Sequence, residues 1–230
     1  MKQTESITPS MKLADLISLN YKLLEVLSRL DIGLGFGEGS IADACASHGI
    51  DIDSFLLICN EYTFDGYVAS SDQLANGSPS DIMKYLHNSH VCYMSKEMTK
   101  LETLLQTLLE PTGDTQKKML YKFFHDYKTE VKKHFEYEED TVFPYIRSLL
   151  HGERPDGYSM EKFEENHTNI DEKLGDLKNI VMKYLPECCD PIMRNDALYH
   201  IFRLEEDLYR HTLIEDHVLV PMVTILESHE

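Results

Sequence analysis

Hydrophobic residues recur at intervals of three and four positions through four long segments of the chain. This periodicity is typical of amphipathic α-helices that bury one face. The segments are separated by the turn-forming stretches "EPTGDT", "HGERPDGYS" and "PECCDP". The pattern predicts helices at about residues 81–110, 115–150, 159–185 and 194–227. Because short connections favour antiparallel neighbours, we predict an all-α fold built on an up-down-up-down four-helix bundle.

The N-terminal third shows shorter helical patterns, at residues 11–30, 40–48 and 52–63, around the glycine-rich turn "DIGLGFGEGS". That turn follows a helix rather than a strand and lacks a GK[ST] sequence, which argues against a phosphate-binding loop. The stretch "LANGSPSD" at 74–81 is typical of a linker followed by a helix N-cap. We therefore predict a small helical N-terminal domain, residues 1–76, followed by the bundle, residues 77–230.

Each predicted bundle helix carries a histidine within its hydrophobic face, and two of the helices also carry a glutamate four residues later. The histidines are His87, His134, His167 and His211, and the glutamates are Glu138 and Glu215. Residues four apart share a helix face, so one helix can offer an imidazole nitrogen and a carboxylate oxygen together. With a rise of about 1.5 Å per residue, the six side chains fall into one layer of the bundle.

The two halves of the bundle repeat this pattern. A histidine is followed by His-x-x-x-Glu after 47 residues in the first half and after 44 in the second. Pro144 and Pro221 stand at the same distance after each His-x-x-x-Glu. Such agreement indicates an internal duplication of roughly 80 residues with its polar positions in register.

Burial of these groups requires a compensating charge. Removing two carboxylates from water costs several kcal/mol per ion, and no lysine or arginine lies on these helix faces. A metal cation would supply the charge. Four imidazoles and two carboxylates exceed the needs of one tetrahedral zinc, so we predict two ions bridged by Glu138 and Glu215. Iron suits this donor set, with manganese and zinc as alternatives, and space remains for an oxo bridge or a small ligand.

Other polar residues near these faces are assigned lesser roles. His90, one turn from His87, is the alternative ligand on the first helix. Three further histidines flank the faces as surface residues or neighbours of the ligands, namely His125, His200 and His217. Four acidic residues lie off the faces and are interpreted as solvated, namely Glu136, Glu139, Asp140 and Asp216.

Charge and cysteine content exclude several classes of protein. The net charge of −18 and the pI near 4.9 disfavour binding to nucleic acids or anionic membranes. The chain has no run of about 18 apolar residues, and "MKQTESITPS" does not resemble a signal peptide, so we expect a cytoplasmic monomer or homodimer. Five cysteines without CxxC spacing argue against a disulfide framework or a thiolate zinc site.

The duplicated His-x-x-x-Glu and proline pattern resembles the hemerythrin-like HHE cation-binding family. Within that family the chain looks most like the repair-of-iron-centres di-iron proteins, because hemerythrin itself uses a His-x-x-x-His helix where this chain has glutamate. The resemblance implies a centre of two non-haem, oxo-bridged iron ions. The ligands that it implies are His87, His134, Glu138, His167, His211 and Glu215.

The resemblance also implies a function. Such a protein would take part in the repair of iron–sulfur clusters damaged by oxidative or nitrosative stress, with oxygen or nitric oxide as ligand and damaged cluster proteins as partners. Residues 11–63, including "SIADACASHGIDID", are similar to the small domain that accompanies the repair proteins. The vicinal cysteine pair of that domain is missing, since Leu34 and Gly35 occupy the turn. The alternative is therefore a protein that binds or senses oxygen or nitric oxide without repair activity.

Overall fold

All the regular secondary-structure elements of the described residues are helices. The computed structural model describes residues 6–166 and 172–228, apart from the side chains at 164–166 and 172. Within these ranges no strand forms, and the β contacts are limited to an isolated bridge between Lys12 and Ser40. The prediction of an all-α fold is confirmed. In this part of the chain, no helix combines the length and apolar character needed to span a bilayer.

The N-terminal region consists of five short helices. They are α1 (Leu13–Leu19), α2 (Leu23–Arg29), α3 (Ile41–His48), α4 (Ile52–Thr63) and α5 (Ser71–Asn76). Local sequence fixes their ends. Ser40 and Asp43 form a capping box at the start of α3, and Gly49 ends that helix at φ +63°, a conformation that favours glycine. The Asp51 carboxylate then accepts the backbone N–H of Ser54 at 2.8 Å and caps α4.

Where the structure describes them, the four long predicted segments are mainly helical, and three of them contain a π-helical turn. The elements are α6 (Pro79–Cys92), π1 (Tyr93–Glu97), α7 (Met98–Leu109), α8 (Asp114–Tyr137), π2 (Glu138–Val142), α9 (Phe143–Leu150), α10 (Met160–Asn166), α11 (Glu172–Lys183), α12 (Pro191–Ile214), π3 (Glu215–Leu219) and α13 (Val220–Ser228). Periodicity identified the helices but not the π turns, because a π turn adds only a single residue to a hydrophobic pattern that otherwise continues.

The π1 turn changes which face of α6 is buried. The Met98 N–H bonds to the Tyr93 carbonyl, five residues back instead of four. If the buried face is extended from Met98 towards the N-terminus with regular α-helical spacing, it is therefore displaced by one residue in α6. The buried residues include Leu86, His90 and Tyr93, whereas His87 is exposed. The predicted inward placement of His87 is wrong for this reason.

The contacts between residues divide the chain into two compact units. The first contains the described residues of Met1–Ser89, Phe143–Glu165 and Arg210–Glu230, and the second those of His90–Val142 and Asn166–Tyr209. In the first unit, α4 packs against α2, α3, α5 and π3, and α13 packs against α5 and α9. The predicted boundary near residue 76 stays a prediction.

The second unit has a continuous hydrophobic core, in which α8 packs against α7 and α11. Most of its members are residues that the three- and four-residue spacing selects from α7, α8, α11 and α12. They include Met98, Leu101, Leu105, Leu108, Leu120, Phe124, Val131, Leu174, Leu177, Val181, Ala197, Ile201, Leu204 and Leu208. Removal of these side chains from water is the main term that stabilises the unit.

Candidate metal centre

The two glutamates of the repeated motif occupy equivalent positions in the backbone. Glu138 is the first residue of π2 and Glu215 is the first residue of π3. Each π turn ends two residues before a proline, Pro144 or Pro221. Proline has no N–H to donate, and its ring clashes with the carbonyl four residues earlier in a regular α-helix. The wider turn, in which the Val220 N–H bonds to the Glu215 carbonyl, accommodates the chain at this point.

Four buried side chains bring potential metal-binding atoms together. One nitrogen or oxygen from each of His90, Glu138, His211 and Glu215 lies within 4.8 Å of all the others. The carboxylates of Glu138 and Glu215 are each only 1% exposed. This group is the candidate metal centre.

Distances within each motif show how the imidazoles meet the carboxylates. His134 Nε2 lies 2.8 Å from Glu138 Oε1, and His211 Nε2 lies 2.8 Å from Glu215 Oε1. His90 Nε2 lies 3.0 Å from the other oxygen of Glu138. The i,i+4 spacing therefore places one imidazole against one carboxylate in both copies of the motif.

The chemistry of these side chains fits a metal ion. Two like charges that are buried close together are costly, and a divalent or trivalent cation offsets their repulsion. Imidazole nitrogen combined with carboxylate oxygen suits iron, zinc or manganese, whereas calcium and magnesium prefer oxygen alone. The residues present are therefore suited to hold a transition metal.

The six predicted ligands do not all lie in the buried group. It brings Glu138, His211 and Glu215 into the group and places His134 against Glu138. His87 is exposed, and His90 occupies the place that was expected for it. His167 lies outside the described residues. Because of the register shift at π1, His87 does not face inward, and the ligand roles of the six residues stay predictions.

Glu139 was interpreted as a solvated residue, but it contacts the centre. Its Oε1 lies 2.8 Å from His90 Nδ1, and its side chain is 27% exposed. The sequence offered a weak signal, namely a second carboxylate directly after a candidate ligand. Nothing in the spacing showed that this carboxylate would face a histidine on another helix.

In the first unit, the π3 turn is also tied to helix α4. His217 Nδ1 donates a hydrogen bond to Glu61 Oε1 at 3.0 Å, and Glu61 is buried. Burial raises the pKa of Glu61, while the hydrogen bond from His217 and the charge of Arg210 oppose that rise. Arg210 itself binds the Asp65 carboxylate at 2.6 Å and the Glu61 carbonyl at 3.3 Å. These contacts hold the backbone that carries Glu215 against α4.

We expect His200 to make the protein less stable in mild acid. Burial lowers the pKa of His200, although the carbonyl of Glu97, 3.0 Å from Nε2, partly opposes this, and Arg203 and Lys100 add positive charge. As the pH falls below about 6.5, the unfolded chain takes up the proton before the folded chain does, so the free energy of unfolding decreases. Stability from this residue is therefore complete above that pH and is lost below it.

Denaturant unfolding of metal-free protein between pH 7.5 and 5 measures this effect. The His200→Gln variant should lose stability less steeply than the wild type as the pH falls. The exposed His125 provides the control, because His125→Gln should follow the wild-type curve. Identical slopes for the wild type and His200→Gln would contradict the assignment.

Comparison with known proteins identifies the family. The family model described as the hemerythrin HHE cation binding domain matches residues 93–223, which is more than half of the chain. The match includes both His-x-x-x-Glu motifs and begins three residues after His90. No curated protein and no solved structure matches the chain. The chain belongs to the hemerythrin HHE cation-binding domain family.

Proposed function

We propose that the protein is a non-haem di-iron protein that takes part in the repair of iron–sulfur clusters damaged by oxidative or nitrosative stress. The buried group of His90, Glu138, His211 and Glu215 carries this proposal. With His134 against Glu138, the described residues offer three imidazoles and two carboxylates, more than a single four-coordinate ion requires. Two ions that share the carboxylates would use this set, with His167 as a further proposed ligand.

Bound iron would supply one-electron redox chemistry and an open position for oxygen or nitric oxide. The protein's own residues prepare that position in two ways. Glu138 and Glu215 place negative charge where the cations bind, and their burial keeps bulk water away from it. The stacked ring of Phe135 limits the movement of His90, because the two ring centroids are 4.2 Å apart.

A second function is favoured by the cysteines of the N-terminal region. Cys45 and Cys59 are both buried, and burial raises the pKa of Cys45 to about 11 and that of Cys59 well above its ordinary value. Thiols of this kind are poor nucleophiles and poor metal ligands at neutral pH. Without a reactive cysteine pair in this region, binding or sensing of oxygen or nitric oxide at the same centre is the alternative to repair.

Metal analysis of protein purified without added metal tests the centre itself. We expect about two irons per chain and visible absorption from the ferric pair. The His134→Ala variant should lose most of this iron, whereas His217→Ala should keep it, because His217 is directed to Glu61. One zinc per chain, no metal, or equal losses in both variants would contradict the proposal.

A second experiment separates repair from sensing. An iron–sulfur enzyme damaged by nitric oxide is incubated with the iron-loaded protein, and its activity is followed. Recovery with the wild type but not with His134→Ala supports repair. A reversible spectral change with oxygen or nitric oxide, and no recovery of the damaged enzyme, supports the alternative.

A further inference from the structure

Each nitrogen of the His90 ring faces a different carboxylate. Nε2 lies 3.0 Å from Glu138 Oε2, and Nδ1 lies 2.8 Å from Glu139 Oε1. The ring also stacks on Phe135, with an angle of 17° between the two planes. His90 is buried, so these contacts define one orientation for its imidazole.

We propose that Glu139 is a positioning residue that determines which nitrogen of His90 binds the metal, an inference that rests on the proposed function. A carboxylate accepts a hydrogen bond but cannot donate one, so Glu139 fixes the proton on Nδ1. The lone pair is then on Nε2, the nitrogen that faces Glu138. Hydrogen bonding of the non-coordinating nitrogen also increases the basicity of the coordinating one.

Glu138 and Glu139 both lie against His90, but their carboxylates are buried to different extents, which suits them to different roles. The Glu138 carboxylate is almost fully enclosed, which suits a group neutralised by a cation. The Glu139 carboxylate is about a quarter exposed, so it keeps contact with water and costs less to leave charged. The two nitrogens lie on opposite sides of the imidazole ring, which lets one side chain contact both residues.

The environment of Glu139 differs from that of the neighbouring acidic residues. Asp140 follows Glu139 in the same π turn and is exposed, as is Glu136 one turn earlier. Asp140→Ala therefore removes the same charge from almost the same place in the chain, and it is the matched control. Glu139→Gln keeps an oxygen that can accept the Nδ1 hydrogen bond but removes the charge.

Zinc binding by the metal-free full chain, measured by competition with a chromophoric chelator, tests the proposal. We expect Glu139→Ala to weaken zinc binding by about 10–100-fold, as is typical when the carboxylate behind a ligating histidine is removed. Glu139→Gln should recover part of that loss, and Asp140→Ala should change the affinity less than about threefold. Thermal unfolding of the metal-free forms checks that all variants are folded.

A second measurement reports on the proton itself. In zinc-loaded protein labelled with ¹⁵N-histidine, the His90 Nδ1–H should be visible and protected from exchange by NMR in the wild type and in Glu139→Gln. It should exchange rapidly in Glu139→Ala. A purely structural role for Glu139 would not alter this signal.

The possible failures are distinguishable. Wild-type binding and an unchanged Nδ1–H signal in Glu139→Ala would overturn the assignment of Glu139 but leave the metal centre intact. Equal weakening by Asp140→Ala would also overturn it, because a general charge effect would then suffice. A wild-type chain that binds neither zinc nor iron would overturn the metal centre and this inference together.

Discussion

The His90→Ala variant should lose most of its bound metal, whereas His87→Ala should retain a wild-type amount. His90 belongs to the buried group and lies 3.0 Å from Glu138, and His87 is exposed three residues earlier on the same helix. Removing a ligand should weaken binding by more than the roughly 10–100-fold typical of residues behind a ligand. Metal content after dialysis, together with affinity from chelator competition, measures the difference.

Two features make this comparison informative. The variants remove the same chemical group from the same helix, one from a buried and one from an exposed position. His90→Gln fills more of the buried space than alanine and separates loss of the ligand from loss of packing on Phe135. If His87→Ala alone lost metal, or if both lost it equally, the assignment of His90 would be wrong.

The four long helices could be predicted because their hydrophobic periodicity persists over many turns. Elements such as Met98–Leu109 and Asp114–Tyr137 bury the faces that the three- and four-residue spacing selected. The His-x-x-x-Glu motifs could also be predicted, since both pairs lie within single helices and the i,i+4 relation needs no tertiary information. His134, Glu138, His211 and Glu215 are placed as that local geometry requires.

His90 could not be predicted with the same rule. Its position relative to Met98 depends on π1. The additional residue in the Tyr93–Glu97 turn rotates the side chains of the preceding helix about the helix axis, relative to a regular α-helix. A heptad pattern assumes constant helical geometry, so it selected His87 instead. The role that we infer for Glu139 was missed for a related reason, because its contact with His90 joins two different helices.

Two of the π turns lie at the candidate metal centre, because π2 begins at Glu138 and π3 begins at Glu215. A π turn is rare and is frequently found at functional sites. Proline after each of the two turns explains why the wider geometry is tolerated there, but π1 has no proline within it or directly after it. The sequence signal is therefore present for two of these three turns and absent for the one that displaced the prediction.

The double variant Glu138→Gln/Glu215→Gln should be at least as stable as the wild type without metal, yet gain nothing when metal is added. In metal-free protein, one oxygen of the buried Glu138 carboxylate lies within 4.8 Å of one oxygen of the buried Glu215 carboxylate. Their desolvation and mutual repulsion lower the stability of the folded chain. Replacing a buried ion pair with apolar residues of similar volume is often neutral or stabilises a protein by about 1–4 kcal/mol, and we expect an effect in the same direction when the two amides remove the buried charges. In the wild type, bound metal offsets that cost and adds about 4 kcal/mol at a concentration a thousand times the Kd.

Denaturant unfolding with and without iron or zinc measures both effects, so the expected result is a reversal of rank. Metal-free, the double variant equals or exceeds the wild type; with metal, the wild type is the more stable protein. Glu136→Gln/Glu187→Gln is the control, because it removes two carboxylates from exposed positions and raises the net charge from −18 by the same amount. That control should keep the wild-type response to metal. A metal-free double variant clearly less stable than the wild type would mean that the carboxylates stabilise the fold themselves, and the argument that their burial requires a cation would fail.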